Sequence, residues 1–295
     1  YRCDWSSDVC SSDLILFLVF TIGSLVLAIL YRTYNPEEED KLNWVPELLT
    51  IFKNKSILFI SNFLLGTFNL VMAIEISEIS YCGIPFEIKE NSSSSTHYIL
   101  IHGDEQTAKI LINEHIKKNK GKAFIIKSKD REVTLGPTIV DPNRLFSNSG
   151  ARKALKNFKA DWVKSELDDL LTKLKISRNN FLDSIFPSEG GLLIALHNNF
   201  RGYNVNSELK KSQLFSIKKN ENPRDFIICT SDIDYEKLKN GPYNIVLQNV
   251  MNKNNDGSLS WAAIQKRVRY INIETRLGWL SQQRKMLNFV EKELN

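Results

Sequence analysis

The chain has 295 residues, 42% of them apolar and 25% charged, with a formal net charge of +5. That balance belongs to a folded globular protein and excludes a disordered or low-complexity chain. Four cysteines exclude a disulfide-stapled scaffold, and a lysine excess spread along the chain argues against a dense nucleic-acid-binding block.

The first fourteen residues, YRCDWSSDVCSSDL, carry no helical or alternating apolar period and no cap for the apolar run after them. The stretch from Asp4 to Leu14 resembles one reading frame of a common DNA-sequencing adapter, so residues 1–14 are read as an artefact and set aside. Without them one arginine and three aspartates are lost, which moves the charge from +5 to +7 and leaves two cysteines, Cys82 and Cys229. Residues 14–30 form an apolar run about long enough to span a bilayer. A second run, residues 57–73, comes after Lys53 and Lys55 and ends in Val71-Met72-Ala73, the small-residue pattern of a cleavage site. Asn62 and Asn69 are costly in a lipid-facing helix, which favours a signal peptide over 51–73. Cleavage would then fall after Ala73, translation would start near Ile51 or Phe52, and residues 15–50 would be an apolar segment and linker read through from upstream. The competing reading is a two-helix membrane hairpin, whose intervening loop carries both signs of charge and fixes no orientation. On either reading the rest of the chain is exported, to a periplasm or the extracellular space, or is membrane-anchored. Its N-terminal part is expected to meet a membrane or the export machinery.

Residues 74–295 are expected to form one domain, with a hairpin over 74–90 and a polar loop, NSSSST, before the first strong strand. From there strand-like and helix-like patterns alternate. YILIH (98–102) reads as a buried strand and 104–118 as a helix with Ala108, Leu111, Ile112 and His115 on one face. Lys117, Lys118, Lys120 and Lys122 read as the solvated end of that helix, where cations suit the dipole. KAFIIK (122–127) is a strand, 151–175 one long amphipathic helix, GLLIALH (191–197) a buried strand, and DFIIC (225–229) and YNIVLQ (243–248) two more. A helix over 260–267, a strand RYINIE (269–274) and a terminal helix over 279–294 complete the series. Alternation of this kind predicts an α/β fold: a mostly parallel, mixed central sheet with helices on both faces.

Three strands close on residues with chemistry: His102, His197 and Glu274. In open α/β sheets the carboxyl ends of the strands line the ligand crevice. Glu105 comes three residues after His102 in His102-Gly103-Asp104-Glu105, with Gly103 expected to allow a sharp turn. Two histidines and one carboxylate are the usual protein ligands of a catalytic zinc, and Zn²⁺ suits imidazole and carboxylate without any thiolate. The expected cofactor is therefore Zn²⁺ held by His102, Glu105 and His197, with a zinc-bound water of pKa about 7 as nucleophile. Glu274 is placed to move that water's proton. Taken singly, each of these residues reads as readily as a structural histidine or an ion-pair partner of Arg269 or Arg276; the combination carries the reading.

His102-Gly-Asp-Glu105, Asp141-Pro-Asn-Arg144-Leu-Phe146, a strand-closing His197 and Tyr270-Ile-Asn-Ile-Glu274 together resemble the zinc carboxypeptidase superfamily, in its succinylglutamate desuccinylase and aspartoacylase branch. The resemblance covers about residues 98–280 and makes 74–295 a zinc hydrolase domain. It implies that His102, Glu105 and His197 bind zinc, that Glu274 is the general base, and that Asn143 and Arg144 hold a substrate carboxylate. A guanidinium fork suits that last role, which a lysine could not fill in the same way. The superfamily's carbonyl-polarising arginine has no clear counterpart; Arg131 is the nearest candidate and Arg201 an alternative. Its pocket tyrosine corresponds to Tyr203 or Tyr243. The stretch His197-Asn198-Asn199-Phe200-Arg201-Gly202-Tyr203 reads as a polar loop in which Asn198 or Arg201 touches substrate.

The function expected is zinc-dependent hydrolysis of an amide bond next to a free carboxylate, in a peptide or an N-acyl amino acid. A carboxypeptidase and a deacylase both fit, and no nucleic-acid partner is expected. The alternative is an inactive relative that uses the same crevice to bind a carboxylate-bearing peptide. No Gly-x-Ser-x-Gly elbow supports a serine hydrolase, and HGDE stands where a dinucleotide fold would place its glycine fingerprint.

Overall fold

The computed structural model describes residues 74–200, 202–251 and 255–294. The stretch 1–14 that the sequence suggests is an artefact, the segments at 15–50 and 51–73 and the candidate Arg201 lie outside the described residues. Among the described residues no helix is long and apolar enough to cross a membrane. In chain order the elements are β1 (Glu75–Tyr81), β2 (Ile84–Asn91), β3 (Thr96–Leu100), α1 (Gln106–Ile116), β4 (Gly121–Ile126), β5 (Val133–Leu135), β6 (Thr138–Val140), a 3₁₀ turn (Pro142–Arg144), α2 (Asn148–Phe158), α3 (Lys164–Ile185), β7 (Leu192–Asn199), α4 (Asn206–Leu209), β8 (Leu214–Ser216), β9 (Phe226–Cys229), α5 (Asp232–Leu238), β10 (Asn244–Leu247), α6 (Leu259–Lys266), β11 (Arg269–Arg276) and α7 (Leu280–Leu294).

Nine strands make one sheet in the order β1-β2-β4-β3-β7-β11-β9-β10-β8, and β5-β6 form a separate small hairpin. The sheet is mixed. β4, β3, β7 and β11 run parallel at its centre; β9 and β10 are parallel to each other, but β9 is antiparallel to β11. The strand period of two sorts side chains into two cores. Leu192, Ile194, Leu196, Ile271 and Ile273 face α1, α5 and α7, while Leu193, Ala195 and Tyr270 face α2, α3 and α6. Helices therefore cover both faces, as the alternating pattern predicts.

The single long helix expected over 151–175 is two helices, α2 and α3. Lys159 is extended (φ −143°, ψ 108°), and the Trp162 indole N–H donates to the Leu155 carbonyl at 3.2 Å. Trp162 thus leaves the helical stripe and adds a second donor to a carbonyl that already accepts the Lys159 amide at 3.0 Å at the end of α2. Cys82 and Cys229 are both buried free thiols and belong to different cores, which rules out a bridge between them.

The hairpin β1-β2 docks through aromatic stacking. Tyr81 lies between Phe146 (centroids 4.8 Å apart) and Phe181 (4.5 Å), and Phe86 packs on Phe181 at 4.9 Å. This cluster joins the hairpin and α3 to the segment that begins with Asp141-Pro-Asn-Arg144. Phe181→Ala should cost about 3–5 kcal/mol of unfolding free energy, read from the midpoint of a urea titration with an unchanged m-value.

Candidate metal centre

The parallel pair β7–β11 sets the register of the site, with His197 directly opposite Glu274. Along β7 the residues on the α2–α3 face run Leu193, Ala195, His197, and along β11 they run Tyr270, Asn272, Glu274. Both strands change from apolar to polar as they approach their carboxyl ends. Neither functional residue closes its strand, because the ladder continues for two more residues, to Asn199 opposite Arg276. His102 lies two residues beyond the end of β3, and Glu105 immediately precedes α1.

Gly103 is required between them for a reason other than a tight turn. A Cβ there would lie 2.5 Å from both the carbonyl carbon and the oxygen of Ser128 and 2.9 Å from the Asp130 oxygen, and the Gly103 amide donates to the Asp130 carbonyl at 3.2 Å. Close approach of a second backbone segment, rather than φ, excludes a side chain.

His102, Glu105 and His197 form a buried group whose ligand atoms all lie within 4.8 Å of one another. His102 Nδ1 is 2.8 Å from Glu105 Oε1, and His197 Nδ1 is 3.0 Å from Glu105 Oε2. His197 Nε2 is buried with no hydrogen-bond partner among the described residues. His102 Nε2 is 2.9 Å from Asp141 Oδ1, an oxygen that also accepts the Asn143 amide at 2.8 Å. Asp141 thus orients the imidazole from behind, the usual arrangement for a ligating histidine. The sequence reading missed this role, although Asp141 stands in the very motif it used for Asn143 and Arg144. Arg131 donates to Glu105 Oε1 at 3.2 Å and lies 3.8 Å from Asp141 Oδ2.

The charges settle accordingly. Burial works against charge on His102, but Glu105 and Asp141 outweigh it and hold the imidazolium up at about 9. Burial would raise Glu105, yet His197 and His102 keep it well below the usual carboxylate range. Asp141 is likewise held down, at about 2, against burial and by its bond to His102. Glu274 goes the other way: burial raises it, with His197 and the amides of Asn272 and Asn199 pulling back and Glu105 adding to the rise. Two buried carboxylates are therefore pushed apart, one toward permanent ionisation and one toward proton exchange.

A cleft of about 560 Å³ opens over this group. Besides the triad it is lined by Arg131, Asn143, Arg144 and Glu274. Asn143 Oδ1 accepts the Leu259 amide at 2.9 Å, which leaves its Nδ2 without a partner among the described residues. Asn198 and Asn199, expected in a loop, are the last residues of β7. Asn198 borders the cleft, but its Oδ1 accepts the Ala108 amide at 2.8 Å and its Nδ2 donates to Gln283 at 3.1 Å, so its side chain ties α1 to α7. Asn199, which the sequence reading passed over, is gripped by Arg224 (Nε to Oδ1 3.1 Å) and reaches Glu274 Oε2 at 3.5 Å. Of the two candidate tyrosines, Tyr203 lines the cleft, while Tyr243 packs on Phe289 (centroids 5.3 Å apart) in the core on the opposite face.

No family model matches the chain, and no curated protein matches it. Among solved structures it is similar to a protein of Shewanella denitrificans OS217 provisionally described as a metallopeptidase, at 10% identity and a TM-score of 0.40 over 76% of this chain and 84% of that one. It is also similar to the ectoine utilization protein EutE (DoeB) of Ruegeria pomeroyi, in its product-bound form, at 14% identity and a TM-score of 0.40 over 72% of this chain and 60% of that one.

The geometry predicts two outcomes. In metal-free protein the stabilisation contributed by His102 is complete below the unfolded-state value of about 6.5 and is lost as pH rises through about 9. Urea unfolding across that interval should show the loss, and His102→Gln should flatten it. Gly103→Ala should weaken metal binding at least tenfold, because either the Ser128 backbone or the His102–Glu105 pair must yield; equilibrium dialysis against Zn²⁺ checks it.

Proposed function

We propose that this protein is a zinc-dependent hydrolase that cleaves an amide bond adjacent to a free carboxylate. The observation that carries the reading is the convergence, in one cleft, of a buried His–Glu–His group with a buried glutamate directly across the strand ladder. Two imidazoles and a carboxylate are a donor set that suits Zn²⁺, and the unpartnered ring nitrogen of His197 marks a demand that the described residues do not meet. His102, Glu105 and His197 would hold the ion. Bound there, zinc supplies a Lewis acid and lowers the pKa of a water to about 7.

The remaining work belongs to the chain. Glu274, raised by burial, accepts the proton of the attacking water and returns it to the leaving nitrogen. Asn143 Nδ2 and the Arg144 guanidinium hold the substrate's carboxylate, which places the neighbouring amide over Glu274. Arg131, beside the ligand Glu105, is the group that would polarise the scissile carbonyl. Substrates of this description are peptides with a free C-terminus or N-acyl amino acids. On the reading of residues 51–73 as an export signal, they would be met outside the cytoplasm.

Purified protein should bind one equivalent of zinc, lose it on His102→Ala, and lose amide hydrolysis in chelator; full activity in the chelated protein would end the proposal. Glu274→Gln should lower kcat by about a hundredfold or more while leaving the Kd of a carboxylate ligand within about threefold of wild type. If binding and turnover both stayed unchanged, Glu274 would not be the proton carrier.

A further inference from the structure

Arg144 does not meet the cleft with both arms free. Its Nη1 is 3.3 Å from Asp256 Oδ2 and 3.3 Å from the Asn143 carbonyl, while among the described residues Nη2 has no hydrogen-bond partner. Both Arg144 and Asp256 line the cleft, and each side chain is 36% exposed. Asp256 is seated there by backbone geometry. Its Oδ1 accepts the Ser258 amide at 3.1 Å, and the Gly257 carbonyl accepts the Phe146 amide at 2.8 Å. Gly257 has φ +80°, and a Cβ on it would lie 2.2 Å from the Arg144 carbonyl oxygen. A Cβ on Gly150 would lie 2.3 Å from the Gly257 Cα. The turn that carries Asp256 is therefore clasped against the segment that presents Arg144, and the two charges are held together before any ligand arrives.

We propose that Asp256 is a resident carboxylate that competes with the ligand for Arg144 and so sets the affinity for carboxylate-bearing substrates. The inference rests on the proposed role of Arg144 as the carboxylate anchor. A guanidinium grips a carboxylate best through two parallel N–H donors. An incoming carboxylate finds Nη2 open; to take the Nη1–Nη2 edge it must draw Nη1 away from Asp256 and the Asn143 carbonyl, and on the Nε–Nη2 edge it meets Asp141, whose Oδ2 lies 3.9 Å from Nε. A half-exposed ion pair is weak enough to be displaced, and strong enough to lower the affinity by a measurable factor. A neutral amide at the same position does not displace it and gains little from Arg144, so the competition by Asp256 falls mainly on the free carboxylate.

The test is calorimetric titration of N-acetyl-leucine and its carboxamide into wild type, Asp256→Asn, Asp256→Ser and Arg144→Met, each checked for native melting. Asn keeps the acceptor for the Ser258 amide while removing the charge. N-acetyl-leucine should bind both Asp256 variants about 3–10 times more tightly than wild type, and its preference over the carboxamide should widen. Arg144→Met should lose most of the binding. If Arg144→Met loses binding but both folded Asp256 variants bind as wild type or more weakly, Asp256 merely positions the arginine and the competitor role is overturned. If Arg144→Met binds as wild type, the carboxylate site itself is overturned, and the competitor with it.

Discussion

A buried carboxylate, Glu105, is the constraint on which the site depends. It is 3% exposed and ionised, and burying such a group unaided is far costlier than the stability of an average domain permits. Its charge is tolerated because donors from three separate parts of the chain converge on it: His102 from the end of β3, Arg131 from the segment after β4, and His197 from β7. Each donor is held by something else in turn. Asp141 fixes His102, the β7–β11 ladder fixes His197, and the close approach of residues 128–130 to Gly103 fixes the spacing of His102 and Glu105. Removing one partner leaves a charge without compensation, which is the expensive error in a buried network. The arrangement is therefore all-or-none, and it suits a cation that can replace the imidazole contacts with bonds of its own.

The second constraint is register. Because strand side chains alternate, a one-residue slip of β11 against β7 would turn Glu274 into the core that α7 covers and bring Ile273 or Thr275 to the cleft. Nothing polar specifies the register along most of the ladder. It is set by the sorting of Leu193, Ala195 and Tyr270 into one core and of Leu196, Ile271 and Ile273 into the other. The hydrophobic pattern thus positions the chemistry: apolar alternation lower in the strands guarantees that His197 and Glu274 emerge on the same face and at the same height.

That explains what could be read from the sequence and what could not. The apolar runs preceding His102, His197 and Glu274 are period and composition, and they revealed the central strands and the convergence of the three residues. The extent of the strands was not legible, because Asn198, Asn199, Thr275 and Arg276 are polar and are held in the ladder by partners distant in sequence, among them Ala108, Arg224 and Asp225. The break between α2 and α3 was hidden because Trp162 fits a helical stripe as well as it fits a cap. The short hairpin β5-β6 and the strand β8 lack enough residues to show a period. Asp141 escaped notice as a residue behind a ligand: its role needs His102 at 2.9 Å, which no spacing of 39 positions reveals. Gly103 was recognised but for the wrong reason, since its neighbour at 2.5 Å is the backbone of Ser128, distant along the chain.

The cleft also holds two carboxylates and two arginines in contrasting surroundings. A carboxylate surrounded by fixed cations, as Glu105 is, cannot exchange a proton near neutrality. Glu274 is pushed the other way: burial raises it, and His197 with the amide donors of Asn272 and Asn199, at 3.3 and 3.5 Å, only partly pulls it back. The same logic applies to the cations. Arg131 is bonded to Glu105 and lies 3.8 Å from Asp141, while Arg144 is bonded through Nη1 alone, with its Nε 3.9 Å from Asp141. An anionic ligand entering the cleft therefore meets one guanidinium that is committed and one that is half available, and the second gives it a place to settle. On the proposed reading, that difference between two arginines lining one cleft favours Arg144 as the seat of a substrate's carboxylate and keeps Arg131 beside the residues that would hold the metal.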